Sequence, residues 1–325
     1  MIAGTDTPLV SIGVPSYNRP QLLDRLLSQL LAQTYPRIEI IVSDNCSSAP
    51  EVFRVAQACS ERDSRVRAFR QAENVGALAN HDFVRSHARG KYFLWAHDDD
   101  EFPPNYIDVC VRYLEANASA VLVGPSCDRY LNGEYWLSYE NCSTLGRSKY
   151  ERLRELMSDA YPCHWRFEHY LSGLYVTEAA PPVMSKEFKT QFHHFFFLSD
   201  KGPFLHAREL KIIKHTTEEN LKVYVRNAHK DQVDTYRRHR VLRHFSQPMQ
   251  ECIPITLQML DILWRSENLS VVEKARLTAH CVWLFIQHPL RDEIRARPLL
   301  ARALNLPRRL FRKIVGGSGE PQPPV

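Results

Sequence analysis

The chain has 325 residues, with 42 Lys and Arg against 37 Asp and Glu, a formal net charge of +5, 44% hydrophobic residues and 24% charged residues. This is enough for one large domain, or a domain with an appendage, of ordinary soluble composition. A mildly basic balance admits an anionic substrate or an anionic membrane surface and excludes a dedicated nucleic-acid binder.

The opening "MIAGTDTPLVSIGVP" has no basic segment followed by a long apolar one, and no stretch nears the ~18 apolar residues of a membrane span. Eight scattered cysteines without a C-x-x-C pair exclude a zinc ribbon or a disulfide scaffold and point to reduced thiols. A cytoplasmic protein is expected.

In chain order, "LVSIGVP" (9–15) reads as a buried strand. Leucine pairs at 22/23, 26/27 and 30/31 then give a helix over 21–33, with Asn18 as its cap and Pro20 in its first turn. Residues 38–44 form a second strand, and Ser48 to Glu51 have the form of a capping box opening a second helix. A strand at 65–70, a helix at 77–88, a strand at 91–96, a helix at 105–116 and a strand at 120–124 follow. Such alternation predicts an α/β fold with a mostly parallel sheet covered on both faces. Beyond residue 126 the chain turns irregular and aromatic-rich, regains helical periodicity over 240–290, and ends in a Gly/Pro-rich tail expected to be disordered.

Ligands of parallel sheets gather at the carboxyl ends of the strands. Three polar groups stand there: Ser16-Tyr17-Asn18, Asp44-Asn45 and His97-Asp98-Asp99-Asp100. Three adjacent carboxylates repel one another, which makes sense at a fixed strand end if a divalent cation and a diphosphate share the site. Mg²⁺ or Mn²⁺ would neutralise charge on a departing diphosphate. The plain alternatives are a solvated acidic turn for 98–100, a turn or cap role for Asp44, and core packing for Tyr17.

"VSIGVPSYNRPQLLDRLLSQLLAQTYPRIEIIVSDNCSS" and "ENVGALANHDFVRSHARGKYFLWAHDDDEFPP", in that order, resemble the inverting family 2 glycosyltransferases of GT-A fold over roughly residues 8–235. The resemblance implies an α/β/α sandwich at 1–235, with a nucleotide-binding half (8–125) and an acceptor half (126–235), then a helical C-terminal extension (236–315) and the tail (316–325). It implies that Pro15, Ser16 and Tyr17 line the base and ribose pocket. Asp44 would accept a hydrogen bond from the ring N–H of uracil or thymine, and Asp98 would sit near the ribose. Asp99 closes the family's D-x-D and would bind the metal; His97 stands where its first Asp is usual, and Asp100 becomes a ligand if the turn shifts by one. The resemblance places the general base at Asp200, ahead of a helix-like segment, with Ser199 where a Glu is usual. Asp159, Glu168 and Glu178 compete for that role. "VYVRNAHKDQ" would bring Arg226 and His229 to the diphosphate.

The implied function is transfer of a sugar from a nucleotide-diphosphate sugar, UDP or dTDP favoured, to a saccharide or lipid-linked acceptor in surface-polysaccharide synthesis. A catalytically inactive relative that binds nucleotide or glycan is the alternative. No glycine-rich phosphate loop follows the first strand, which argues against a nucleotidyltransferase or a dinucleotide oxidoreductase. The basic amphipathic stretch within 295–315 reads equally as a solvated helix face and as a peripheral anchor at an anionic membrane.

Overall fold

The computed structural model describes residues 7–139, 143–159, 171–180, 191–219, 256–257 and 259–287. Arg226, His229, Glu168 and the basic stretch 295–315 lie outside them. The chain divides into two compact units: Met1–Leu156 with Trp165–Val223, and Met157–His164 with Tyr224–Val325.

The first unit begins with the predicted alternation: β1 (Val10–Ser16), α1 (Pro20–Leu31), β2 (Ile38–Asp44), α2 (Glu51–Arg62), β3 (Val66–Arg70), α3 (Ala77–Ser86) and β4 (Tyr92–Trp95). Then come β5 (Asp100–Glu101), α4 (Tyr106–Glu115), β6 (Leu122–Leu131), β7 (Glu134–Tyr139), α5 (Lys149–Asp159), β8 (Leu174–Val176), α6 (Gln191–Lys201) and β9 (Phe204–Thr216). One nine-stranded sheet runs β3-β2-β1-β4-β8-β6-β9-β5, with β7 beside β6. Strands β3, β2, β1 and β4 are parallel. The expectation of a mostly parallel sheet holds for that half alone. Antiparallel β8, β7 and β5 make the remainder mixed, although β6 and β9 again run parallel.

Alternation along each strand splits the core into two layers. Val10, Ile12, Val14, Ile40, Val42, Tyr92 and Leu94 join a buried cluster with Leu23, Leu26, Leu27 and Leu30 of α1, Val52 and Ala56 of α2, and the apolar face of α4. On the other face Trp95 and Tyr175 meet His194 of α6 edge-on, and α3 lies against β1. Gly13 permits that approach, since a Cβ there would stand 2.7 Å from Val84 of α3. The result is an α/β/α sandwich.

Three local expectations change. Asn18 does not cap α1: its Oδ1 accepts from Ser48 N (2.9 Å), Ser48 Oγ (3.1 Å) and Ala49 N (3.3 Å), ahead of α2. The Ser48–Glu51 capping box therefore does not form, and Pro50 is the N-cap of α2. The helix-like segment after Asp200 is the strand β9, whose inner positions Phe204, Ala207, Leu210 and Ile212 are buried.

In the second unit, α7 (Val271–Phe285) opens on a Ser270–Glu273 capping box and buries Leu277, Cys281 and Leu284. Among the described residues no helix is long and apolar enough to cross a membrane.

Candidate active site

Register decides which residues meet. Ser16 lies beside Asp44 across the β1–β2 ladder, and Gly13 beside Trp95 across β1–β4. The residues that follow β1, β2 and β4 therefore share one sheet edge. Asn18 has a left-handed φ of 58°, and its hydrogen bonds tie the loop after β1 to the loop after β2.

At this edge Ser16 Oγ, Asp44 Oδ2 and Asp98 Oδ2 are buried without a hydrogen-bond partner. Unsatisfied buried acceptors are few in folded proteins, and a cluster of them marks a place where a ligand supplies the partners. Asp44 spends Oδ1 on Ser47 N at 3.0 Å, while Oδ2 faces Arg70 Nε at 3.6 Å. Pro15 is half-buried in β1 and Tyr17 is 43% exposed.

The aspartate run is held firmly and its members differ. Asp98 is buried, and burial pushes its carboxyl up to about 6 against the downward pull of Arg19. Asp99 keeps its side chain 34% exposed at the mouth, and its carbonyl accepts from His215 N at 3.0 Å. Arg19 reaches both: Nη2 stands 3.1 Å from Asp98 Oδ1 and Nη1 3.7 Å from Asp99 Oδ2.

Asp100 takes a different place from the one expected of a metal ligand. It is fully buried in β5, paired with Lys214 Nζ at 2.9 Å, and accepts from Ser172 Oγ at 2.7 Å. Burial opposes its charge, but Lys214 and His97 hold Asp100 well below the usual carboxylate range. Lys214, also penalised by burial, is held above its ordinary value by Asp100. His97 points inward as well, its Nδ1 3.4 Å from Asp100 Oδ2 and its Nε2 3.2 Å from His81 Nε2. Burial, then the neighbouring His97, pushes the His81 imidazole down to about 4.

Asp98 and Asp99 fit a divalent cation. Both offer hard oxygens, and a guanidinium, itself a cation, already bridges Asp98 Oδ1 and Asp99 Oδ2. Among the described residues no three His, Cys, Asp or Glu side chains converge as metal ligands. Two carboxylates suffice for Mg²⁺ when phosphate oxygens and water complete its octahedron.

The structure does not bring Asp200 to this edge. Asp200 lies near the end of α6, where Gly202 packs against Ser119 and Val121, and Val121 N donates to the Pro203 carbonyl. This is the start of β6: Leu122 is level with Tyr175 of β8, and Tyr175 with Phe93 near the start of β4. Asp100 is instead level with Lys214 and, through it, with Arg129, seven residues along β6. At about 3.3 Å per residue the two positions are roughly 20 Å apart. Asp200 Oδ1 pairs there with Lys149 at 3.3 Å. Glu178 follows β8 at the same far edge, where its carbonyl accepts from Lys201.

Sequence reasoning missed Arg19, His81, Ser172 and Lys214. Arg19 was within reach, being next to the Tyr17-Asn18 pair. Ser172 and Lys214 stand 72 and 114 residues from Asp100 and carry no local signal.

Residues 11–171 match the family model described as "Glycosyl transferase family 2". A putative colanic acid biosynthesis glycosyl transferase, WcaA of Escherichia coli, is 27% identical over 171 residues, covering 51% of this chain and 61% of that protein. An uncharacterized protein of Sinorhizobium fredii is 33% identical over 128 residues, covering 39% of this chain and 14% of that one. The matched stretches thus span less than two thirds of either relative. Among solved structures, S. aureus TarS 1-349 in complex with UDP-GlcNAc superposes with a TM-score of 0.53 at 14% identity, covering 95% of this chain and 80% of that one. That likeness is one of fold.

Proposed function

Residues 11–171 belong to glycosyl transferase family 2, and from that premise we propose that the protein is a metal-dependent, inverting glycosyltransferase. Its donor would be a nucleotide-diphosphate sugar and its acceptor a saccharide or a lipid-linked saccharide. The setting would be surface-polysaccharide assembly, which the name of the WcaA relative supports. The observation that carries the reading is that three buried oxygens without a hydrogen-bond partner, on Ser16, Asp44 and Asp98, stand at one carboxyl edge of the sheet.

Each acceptor has a task in donor binding. Asp44 Oδ2 accepts the ring N–H of uracil or thymine, which cytosine lacks, so UDP or dTDP is favoured. Ser16 Oγ and Asp98 Oδ2 meet the ribose hydroxyls, and Tyr17, exposed just after β1, lines the same pocket. TarS, a fold neighbour, is described with UDP-GlcNAc; the base preference here rests on Asp44. A Mg²⁺ or Mn²⁺ ion, when bound, supplies Lewis-acid neutralisation of the leaving diphosphate. Asp99, partly exposed, would hold it, with Asp98 Oδ1 beside it. Lys214, Ser172 and His97 fix Asp100 and with it the path of Asp98 and Asp99.

Transfer with inversion forms the bond from the acceptor oxygen to the anomeric carbon as the bond to the diphosphate oxygen breaks, and the hydroxyl proton passes to one carboxylate base. That base must reach the Asp98–Asp99 edge, so Asp200 and Glu178 do not serve.

The test is a donor panel with Mn²⁺, following nucleoside-diphosphate release and the anomeric configuration of the product by NMR. An inverted product from a UDP- or dTDP-sugar, lost in Asp99→Asn, is expected. Nucleotide binding with no turnover of any donor would instead favour an inactive nucleotide-binding relative.

A further inference from the structure

Arg19 occupies an unusual position. Its guanidinium stands 3.1 Å from Asp98 and 3.7 Å from Asp99, yet its side chain is 42% exposed while that of Asp98 is 3% exposed. The acidic segment does not depend on Arg19 for its place. Arg25 holds the Asp98 carbonyl at 3.5 Å and Glu101 at 3.0 Å. His215 binds the Asp99 carbonyl through its backbone and Glu101 through its ring, and Lys214 anchors Asp100. Nor does the Arg19 side chain cap α1, which begins on Pro20 with no side-chain cap. The guanidinium is a cation lying on the two carboxylates that fit a metal, and it leaves Asp98 Oδ2 unsatisfied.

We propose that Arg19 is a tethered competitor for the divalent cation. It neutralises Asp98 and Asp99 while the site lacks nucleotide, gives way when the metal arrives with the donor, and then pairs with the donor's diphosphate. The inference rests on the donor-site reading above and deepens it. A metal that takes Asp98 Oδ1 and Asp99 Oδ2 must displace Arg19 from them. A nucleotide diphosphate offers the displaced guanidinium a bidentate anionic partner. Binding of metal and nucleotide is thereby coupled, each strengthening the other by the same factor.

The test is Mn²⁺ titration followed by electron paramagnetic resonance of the free ion. Wild type, Arg19→Gln and Arg19→Lys are compared with and without UDP. Removing the competitor should tighten nucleotide-free Mn²⁺ binding in Arg19→Gln by about tenfold and shrink the gain from UDP, while Arg19→Lys stays near wild type. A merely structural Arg19 predicts the opposite sign, because a loosened site binds metal more weakly. Unchanged or weaker nucleotide-free binding in Arg19→Gln overturns the proposal. If neither wild type with UDP nor Arg19→Gln binds Mn²⁺, the donor-site reading falls as well.

Discussion

Replacing Lys214 by Met should cost far more stability than a surface lysine would, and Asp100→Asn should restore most of the loss. Asp100 is fully buried and Lys214 nearly so, with Nζ 2.9 Å from one carboxylate oxygen and 3.2 Å from the other. Removing one partner of a buried pair leaves an uncompensated charge and costs about 3–5 kcal/mol. Lys214→Met alone should therefore lower unfolding free energy by about that amount. In the double variant the carboxamide introduced by Asp100→Asn can still accept from Ser172 Oγ while no charge is buried, so the residual cost should fall below ~2 kcal/mol. Urea titrations of the four proteins in the double-mutant cycle measure this. A Lys214→Met cost near that of an exposed pair, or additive losses in the double variant, would refute the claim that Lys214 exists to carry Asp100.

Two further outcomes follow from groups outside the aspartate run. His194 is buried among Trp95, Tyr175 and Phe195 with neither ring nitrogen hydrogen-bonded, and burial pushes its imidazole down to about 3. The unfolded chain binds that proton below pH ~6.5 and the folded one does not. Its contribution is thus fully present above that pH and is lost as pH falls toward 3. His194→Phe should gain about 2 kcal/mol over wild type at pH 5 and little at pH 8; parallel stability curves would count against it. Asp200→Asn should leave donor turnover intact, since Asp200 sits at the far sheet edge. A loss of about a hundredfold or more would restore it as the base.

The first half of the molecule was legible because its signals are local. The leucine pairs of α1, the β-branched run of β2 and the apolar run of β4 each bury their own periodicity, and the carboxyl-edge rule then brings Ser16, Asp44 and Asp98 to one sheet edge, as the register of β1, β2 and β4 does. Asn18 misled because its Oδ1 is taken by Ser48 and Ala49 in the loop ahead of α2, about 30 residues on, a contact that carries no local signal. The segment after Asp200 misled because β9 bulges against β6 between Pro125 and Ser126, which breaks strict alternation into a helix-like pattern. Asp200 lies away from this edge for a related reason: its height relative to the sheet depends on long-range pairing of β6 with β8 and β9. The division of labour within 98–100 was equally hidden, because Lys214 and Ser172 decide it from distant parts of the chain.

The most direct test of the donor site is a thermal-shift screen of UDP, dTDP, GDP and CDP, each with and without Mn²⁺, on wild type, Asp44→Asn and Asp99→Asn. A nucleotide at 100 times its Kd should stabilise the fold by about 2.7 kcal/mol. With UDP or dTDP a shift is expected that needs Mn²⁺, is absent with CDP, is lost in Asp99→Asn and weakens in Asp44→Asn. No shift with any nucleotide under any metal condition would contradict the donor-site reading, leaving the buried oxygens of Ser16, Asp44 and Asp98 without a ligand.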